Sequence, residues 1–325
     1  VIILLGSGII GIGIVWYVAY ARTRVVGEGL LQQAIRPPPA ERYRVVLPIS
    51  NPATQHDLIR IAAASAHAHD ADGAPELVVV NVVEGPAQSP LQNLEAERVE
   101  HQRDLLNHAH NIAEAMSVDL RTRAVVAPDI ATALLDVIEE EAPNQVLLGW
   151  DGRIDHDDFA FSETLDEVLR HTDASVSLVA MRDDHVGKPV GLIAPGANAP
   201  IIAKRTAEFA TVDDTRPTLI TVVQPGRDDQ DAARRRGQEI LAEAASAADL
   251  SDNEYDAQVL VDDNPAAAIS DGILDAFATV CVGLSGRSAG TRIHYGTMTE
   301  RIVEQTDGNV ILVRGGRHSD TEDRF

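Results

Sequence analysis

The chain writes one pattern twice, and that repeat limits its fold more than any other feature. Short apolar runs rich in β-branched residues alternate with segments of helical spacing, the pattern of a parallel sheet with crossover helices. "RVVLPI" at 44–49 matches "PVGLIAP" at 189–195, both closing near a proline, Pro48 and Pro195. "VVVNVVEGP" matches "TLITVVQP", "PDIATALLDVIEEEA" matches "NPAAAISDGILDAF", "NQVLLG" matches "ATVCVG", and "SVSLVAM" matches "NVILVRG". The runs are continuously apolar rather than alternating, which places them in a sheet covered on both faces. Between the runs of the first copy, helices are expected at 52–69, 92–116, 129–141 and 163–171. One α/β unit of about 140 residues is thus written twice, over 44–182 and 188–315, joined across "RDDHVGK". The polar end, 316–325, is expected to be a disordered tail.

Charge narrows the partners. The chain carries 50 acidic against 27 basic residues, a net charge of -23, and its only lysines are Lys188 and Lys204. A field of that sign repels nucleic acid and anionic headgroups, so no nucleic-acid partner is expected. Acid excess, few lysines and small apolar side chains suit the protein of an extreme halophile; an ordinary acidic soluble protein is the alternative. Cys281, the single cysteine, lies inside "ATVCVG" and can form no disulfide within the chain. It reads as a buried strand thiol.

Residues 1–21 contrast with the rest. Val1 to Tyr20 holds no charge, and about 20 apolar residues suffice for a helix to cross a bilayer. Trp16, Tyr17 and Tyr20 sit where an aromatic belt would lie, with Arg22 and Arg24 behind them. A signal peptide has its positive charges before the apolar run. The expectation is therefore a transmembrane helix, the last span of a larger membrane protein, with everything downstream in the cytoplasm. Residues 22–43, with Pro37 to Pro39 as a stop, read as a connector.

The densest chemistry is "VGLSGRSAGTRIHYGTMTERIV" at 282–303. Gly283, Gly286 and Gly296 are spaced as G-x2-G-x9-G, with Thr297 next, after a strand and before a helix. Glycines let backbone N–H groups approach an anion, and the helix start adds its dipole and free donors. Thr297 and Thr299 add hydroxyls. The alternative is a glycine-rich turn followed by a capping box, Thr297 with Glu300. The spacing is neither a Walker A loop nor a dinucleotide fingerprint. In the first copy Gly149 and Gly152 begin the same motif, but Ser162 and Glu163 stand where it should end. Asp155, Asp157 and Asp158 in that loop would repel a phosphate; collection of a divalent cation is the other reading of them. The pairs His67/His69 and His108/His110 sit i,i+2 on helices, about 200° apart, and share no ion. His101 and His108 lie about 10.5 Å apart along their axis. All five read as surface residues, and no metal site is expected.

Taken together, five strands per unit and the glycine motif before the last helix resemble the universal stress protein family, over 44–181 and 188–315. The resemblance implies two tandem flavodoxin-like or Rossmann-like α/β sandwiches of five parallel strands, which pair through their last strands. Here those are 176–180 and 309–314, pairing within the chain or in a homodimer. In ATP-binding members the motif holds phosphates and ribose. Carried onto this sequence, the implied cofactor set is Gly283, Ser285, Gly286, Arg287, Gly296, Thr297, Met298, Thr299, Pro195, Ala197 and Val222. The implied ligand is ATP or a related adenine nucleotide, with or without Mg. The sequence departs from the family where Ser50 and Ala197 replace the Asp that ATP binders carry after the first strand. The first copy is expected to be empty.

Tandem copies behind a membrane span resemble the cytoplasmic tails of haloarchaeal amino acid permeases. Three functions follow as expectations: a regulatory nucleotide-binding tail on a transporter, a ligand-free dimerisation or scaffolding module, and an ATP hydrolase. The last is disfavoured, because beyond Arg287 and Arg292 no clamp, base or nucleophile is visible.

Overall fold

The computed structural model describes residues 42–70, 73–85, 96–152, 162–225, 230–270, 272–284, 286–289, 292–295 and 297–316. The apolar segment 1–21, nearly all of the connector, the loop with Asp155, Asp157 and Asp158, the sites Ser285 and Gly296, and the tail from 317 lie outside them. Among the described residues no helix is long and apolar enough to cross a membrane.

Each run that is apolar on both sides becomes a buried strand. The first half comprises β1 (Arg44–Pro48), α1 (Pro52–His67), β2 (Glu76–Glu84), α2 (Ala96–Ala115), β3 (Asp119–Ala127), α3 (Ile130–Glu141), β4 (Gln145–Gly149), α4 (Glu163–His171) and β5 (Ser175–Ala180). Short polar residues start its helices. The side chain of Asn51 accepts from Ala53 N at 3.0 Å before α1, and that of Asp129 from Thr132 N at 2.6 Å before α3. Such caps satisfy backbone donors that a helix start leaves free. Ser162 caps α4 in the same way, its Oγ accepting from Leu165 N at 3.4 Å.

The second half comprises β6 (Pro189–Leu192), α5 (Ala199–Ala210), β7 (Thr218–Val223), α6 (Gln230–Ala247), β8 (Asp256–Val261), α7 (Pro265–Ser270), β9 (Thr279–Gly283), β10 (Gly286–Ala289), β11 (Arg292–Tyr295), α8 (Thr297–Gln305) and β12 (Asn309–Arg314). Two elements differ from expectation. The helix read from "NPAAAISDGILDAF" stops at Ser270; Gly272 then takes φ +79°, and a short 3₁₀ turn runs over Leu274–Ala276. Within the glycine motif, β10 and β11 form an antiparallel hairpin, with Gly286 opposite Tyr295 and Ala289 opposite Arg292. The motif is therefore not a plain turn.

Ten strands form one sheet in the order β3-β2-β1-β4-β5-β12-β9-β6-β7-β8. Each half has the same order, and every neighbour within a half is parallel. Parallel neighbours need crossovers, which the helices provide. The halves meet where β5 pairs antiparallel with β12, Leu178 opposite Leu312 and Val176 opposite Arg314. These are the strands expected to pair. Because β4 and β9 occupy their other edges, neither strand has a free edge for a second copy. Helices α1, α2, α5 and α6 cover one face and α3, α4, α7 and α8 the other.

A charged cluster is buried where α1 and α5 meet over the junction. Arg205 and Glu208 on α5 are 2% and 3% exposed and paired with each other. Arg205 also donates to Tyr43 Oη at 2.9 Å and Ser175 Oγ at 3.2 Å, both from the first half. Burial works to raise the Glu208 carboxyl, but the Arg205 charge and hydrogen bond, with His69 and Ser65 nearby, hold it below the usual carboxylate range. His69, expected at the surface, is buried: its ring stacks on Tyr43 at 3.6 Å, with Nε2 3.6 Å from Glu208. It lies past the end of α1, in a turn that folds it under the second half. His101, His108 and His110 are exposed, as expected.

Candidate functional site

In an open parallel sheet, ligands sit outside the carboxyl ends of the strands, where the strand order reverses. In the second half that point lies between β6 and β9, and in the first between β1 and β4. The sequence motif ends up at the second-half crevice, because β9 runs straight into it.

Gly283 closes β9. A Cβ there would lie 3.0 Å from Ile202 Cδ1 and 3.5 Å from Asn198 Cβ. The close approach of α5, not a strained turn, favours a small residue here. Beyond it the chain stays tied to the sheet: Leu284 N donates to Val313 O at 2.7 Å. Gly286 and Arg287 lie on β10, and Thr297 is the first residue of α8. A helix start carries a dipole that favours an anion.

Thr299 does not serve as expected. It is 5% exposed, and its hydroxyl donates to Gly283 O at 3.4 Å. Two residues along a helix is about 200° of rotation, so Thr297 and Thr299 cannot both face a ligand. Thr299 instead fastens α8 to the end of β9.

Met298 and Val222 are half-buried and pack on the same apolar cluster, on the face covered by α7 and α8. Pro195 and Ala197 are exposed in the loop after β6, where Gly196 adopts φ +138°. Ala197 has no polar atom to replace the missing carboxylate.

Asn198, which sequence reasoning passed over, holds that loop. Its Oδ1 accepts from Gly315 N at 2.9 Å, and its Nδ2 donates to Leu284 O at 3.4 Å. It ties together the ends of β6, β9 and β12. The repeat pairs it with Asn51, which caps α1, whereas Asn198 makes no side-chain cap to α5. That alignment was the signal that could have marked it.

The first-half crevice has a different character. Gly149 packs close to α1, where a Cβ would meet Leu58 Cδ1 at 2.9 Å. Asn81 Nδ2 donates to Ile49 O at 2.7 Å and Gln102 Nε2 to Asn81 Oδ1 at 2.8 Å, so polar groups behind β1 are engaged internally. Gly152 adopts φ +76°, and Arg182 donates to its carbonyl at 3.2 Å.

Cys281 is fully buried on β9, and burial pushes its thiol up to about 12. Among the described residues no cluster of three or more His, Cys, Asp or Glu is placed to hold a metal.

Comparison with known proteins agrees with this architecture. The sequence pattern of the Universal stress protein family matches residues 42–180. A universal stress protein from Archaeoglobus fulgidus DSM 4304 is similar in structure, with a TM-score of 0.54 and 14% identity over 83% of this chain and 97% of that one. The cytoplasmic domain of a prokaryotic cation chloride cotransporter gives a TM-score of 0.55 and 11% identity, over 84% of this chain and 96% of its own. A universal stress protein in complex with cAMP aligns over 43% of this chain and 98% of its own, at 17% identity and a TM-score of 0.33. No curated protein matches the sequence. Residues 42–180, with their β3-β2-β1-β4-β5 sheet, form a universal stress protein domain.

Proposed function

We propose that the chain is a regulatory adenine-nucleotide-binding tail of a membrane transporter of the amino acid permease type, acting in a stress response. In this reading residues 188–315 are a second universal stress protein domain and the one that binds. ATP or a related nucleotide, with or without Mg, lies across the carboxyl ends of β6 and β9. Its phosphates meet the β10 backbone and the start of α8, and its base meets Val222 and Met298. Residues 1–21 anchor the chain in the cell membrane, and the paired domains lie in the cytoplasm. The tail binds rather than catalyses.

The observation that carries this reading is the Gly283 strand end, which lies at one reversal of strand order and is tied to the first turn of α8 by Thr299. The cytoplasmic domain of a cotransporter shares the fold, which supports the transporter part.

Titration of the chain with ATP at high salt tests it. Saturable binding that Gly286→Asp abolishes is expected, since a carboxylate there would repel the phosphates. Absence of binding at millimolar ATP would sink the nucleotide reading. A ligand-free scaffolding module would then stand, favoured by Ala197 at the position of the missing Asp and by the continuous ten-stranded sheet.

A further inference from the structure

Arg182 lies two residues past β5, at the junction of the halves. Its backbone is pinned: Arg182 N and Asp183 N donate to Asn309 Oδ1 at 2.8 and 2.9 Å. Asn309 in turn donates to His185 O at 2.7 Å and Thr279 Oγ1 at 3.1 Å. From this fixed base the guanidinium reaches three carbonyls. It donates to Gly152 O at 3.2 Å, Val303 O at 3.2 Å and Thr306 O.

Those acceptors belong to different halves. Gly152 is the second glycine of the first half's motif. Val303 and Thr306 close the C-terminal end of α8, whose first turn is tied to the end of β9 by Thr299. Cationic donors at a helix C-terminus satisfy its free carbonyls and complement its dipole. Contact at the turn is close as well, since a Cβ on Gly152 would lie 3.2 Å from Arg182 Nη2. Its φ of +76° would also strain any side chain there. A nine-residue helix is a stiff rod about 13.5 Å long. Movement of its last turn therefore reaches its first.

Arg314 does the mirrored task, donating to Leu169 O, to Thr172 O at 2.8 Å and to Ala174 O at 3.2 Å at the end of α4. All three of its acceptors lie in the first half and none in a glycine motif, so it serves as the control for exchange in α8.

We propose that Arg182 couples the two crevices, passing displacement of the Gly152 turn to α8 and so to the nucleotide site of the second half. The ligand part rests on the function proposed above; the mechanical part does not.

Hydrogen–deuterium exchange of the unliganded chain tests the mechanical part. Gly152→Ala is expected to speed exchange of the α8 amides about fivefold, and Arg182→Ala to do the same. In the Arg182→Ala background, Gly152→Ala should add nothing in α8. Arg314→Ala should loosen α4 and leave α8 unchanged. Arg182→Lys, which keeps the charge but not the fork, should fall between, and serves if the alanine variant does not fold. An effect of Gly152→Ala that stays near residue 152, or that persists undiminished without Arg182, overturns the coupling. In ATP titrations Arg182→Ala should weaken binding about fivefold. Equal affinities in wild type and Arg182→Ala overturn the link to the second crevice. A wild type that binds no ATP defeats the nucleotide reading instead, and the exchange experiment still decides the coupling.

Discussion

Leu178 on β5 faces Leu312 on β12, and each is the other's counterpart in the internal repeat. The pair therefore marks a pseudo-two-fold axis through the centre of the sheet. Both residues are fully buried. The same junction carries Arg182 reaching one way and Arg314 the other, so the two halves are tied symmetrically in plan and unequally in detail.

A continuous sheet predicts joint unfolding. Leu178→Ala and Leu312→Ala should each cost about 2–5 kcal/mol, the range for a buried leucine truncated in a packed core. In denaturant each variant should show one transition, seen alike by far-UV circular dichroism and by Trp150 fluorescence. Two separated transitions would mean that the halves fold independently despite β5–β12 pairing.

Arg205→Met should destabilise by about 3–5 kcal/mol, because it strands the Glu208 carboxylate without its buried partner. Adding Glu208→Leu should recover much of the loss, since a well-packed apolar pair often replaces a buried ion pair at little cost. Thermal unfolding of the single and double variants checks this. A double variant as unstable as the sum of its parts would show that the cluster does not act as a pair.

Acid should weaken the fold through Glu76 and Glu141, which meet Arg44, Arg121 and Arg123 at the amino ends of β1 to β3. Burial acts to raise both carboxyls, but the arginine hydrogen bonds and charges outweigh it and hold them below their usual range. For carboxylates lowered in the folded state, the stability is present above the unfolded value, about 4.3 for Glu. It is lost as pH falls through the folded values. Urea midpoints should therefore drop below about pH 4, and Glu141→Gln should flatten that slope. An unchanged slope in the variant would assign acid sensitivity to other groups.

Cys281 should resist thiol reagents in the native chain, its thiolate suppressed and its access closed by burial. Labelling should be negligible at pH 8 and complete in denaturant. Rapid native labelling would mean that β9 opens locally.

Much of the architecture was readable beforehand because strands buried on both faces leave continuous apolar runs. α4 and β4 fall where spacing placed them, at 163–171 and 145–149. The hairpin 286–295 escaped because "GRSAGTRIHY" is short, glycine-bearing and without apolar alternation. Thr299 was read as a ligand donor because one-dimensional spacing ignores which way a helix turns it. Arg205 and Glu208 were passed over, and His69 was read as a surface residue, because charged and imidazole side chains are usually exposed.

The amino-acid sequence by itself determined the repeated α/β unit, the parallel pairing and the place of the glycine motif. Those follow from local periodicity and from the glycines that end β4 and β9. Tertiary structure alone decided that β5 and β12 spend their open edges on each other, that an arginine bridges the two crevices, and that a charged pair lies beneath the junction. The β5–β12 pairing, the bond from Arg182 to α8 and the bond from Arg205 to Tyr43 each join residues more than a hundred positions apart, where no periodicity connects them and only packing selects the partner.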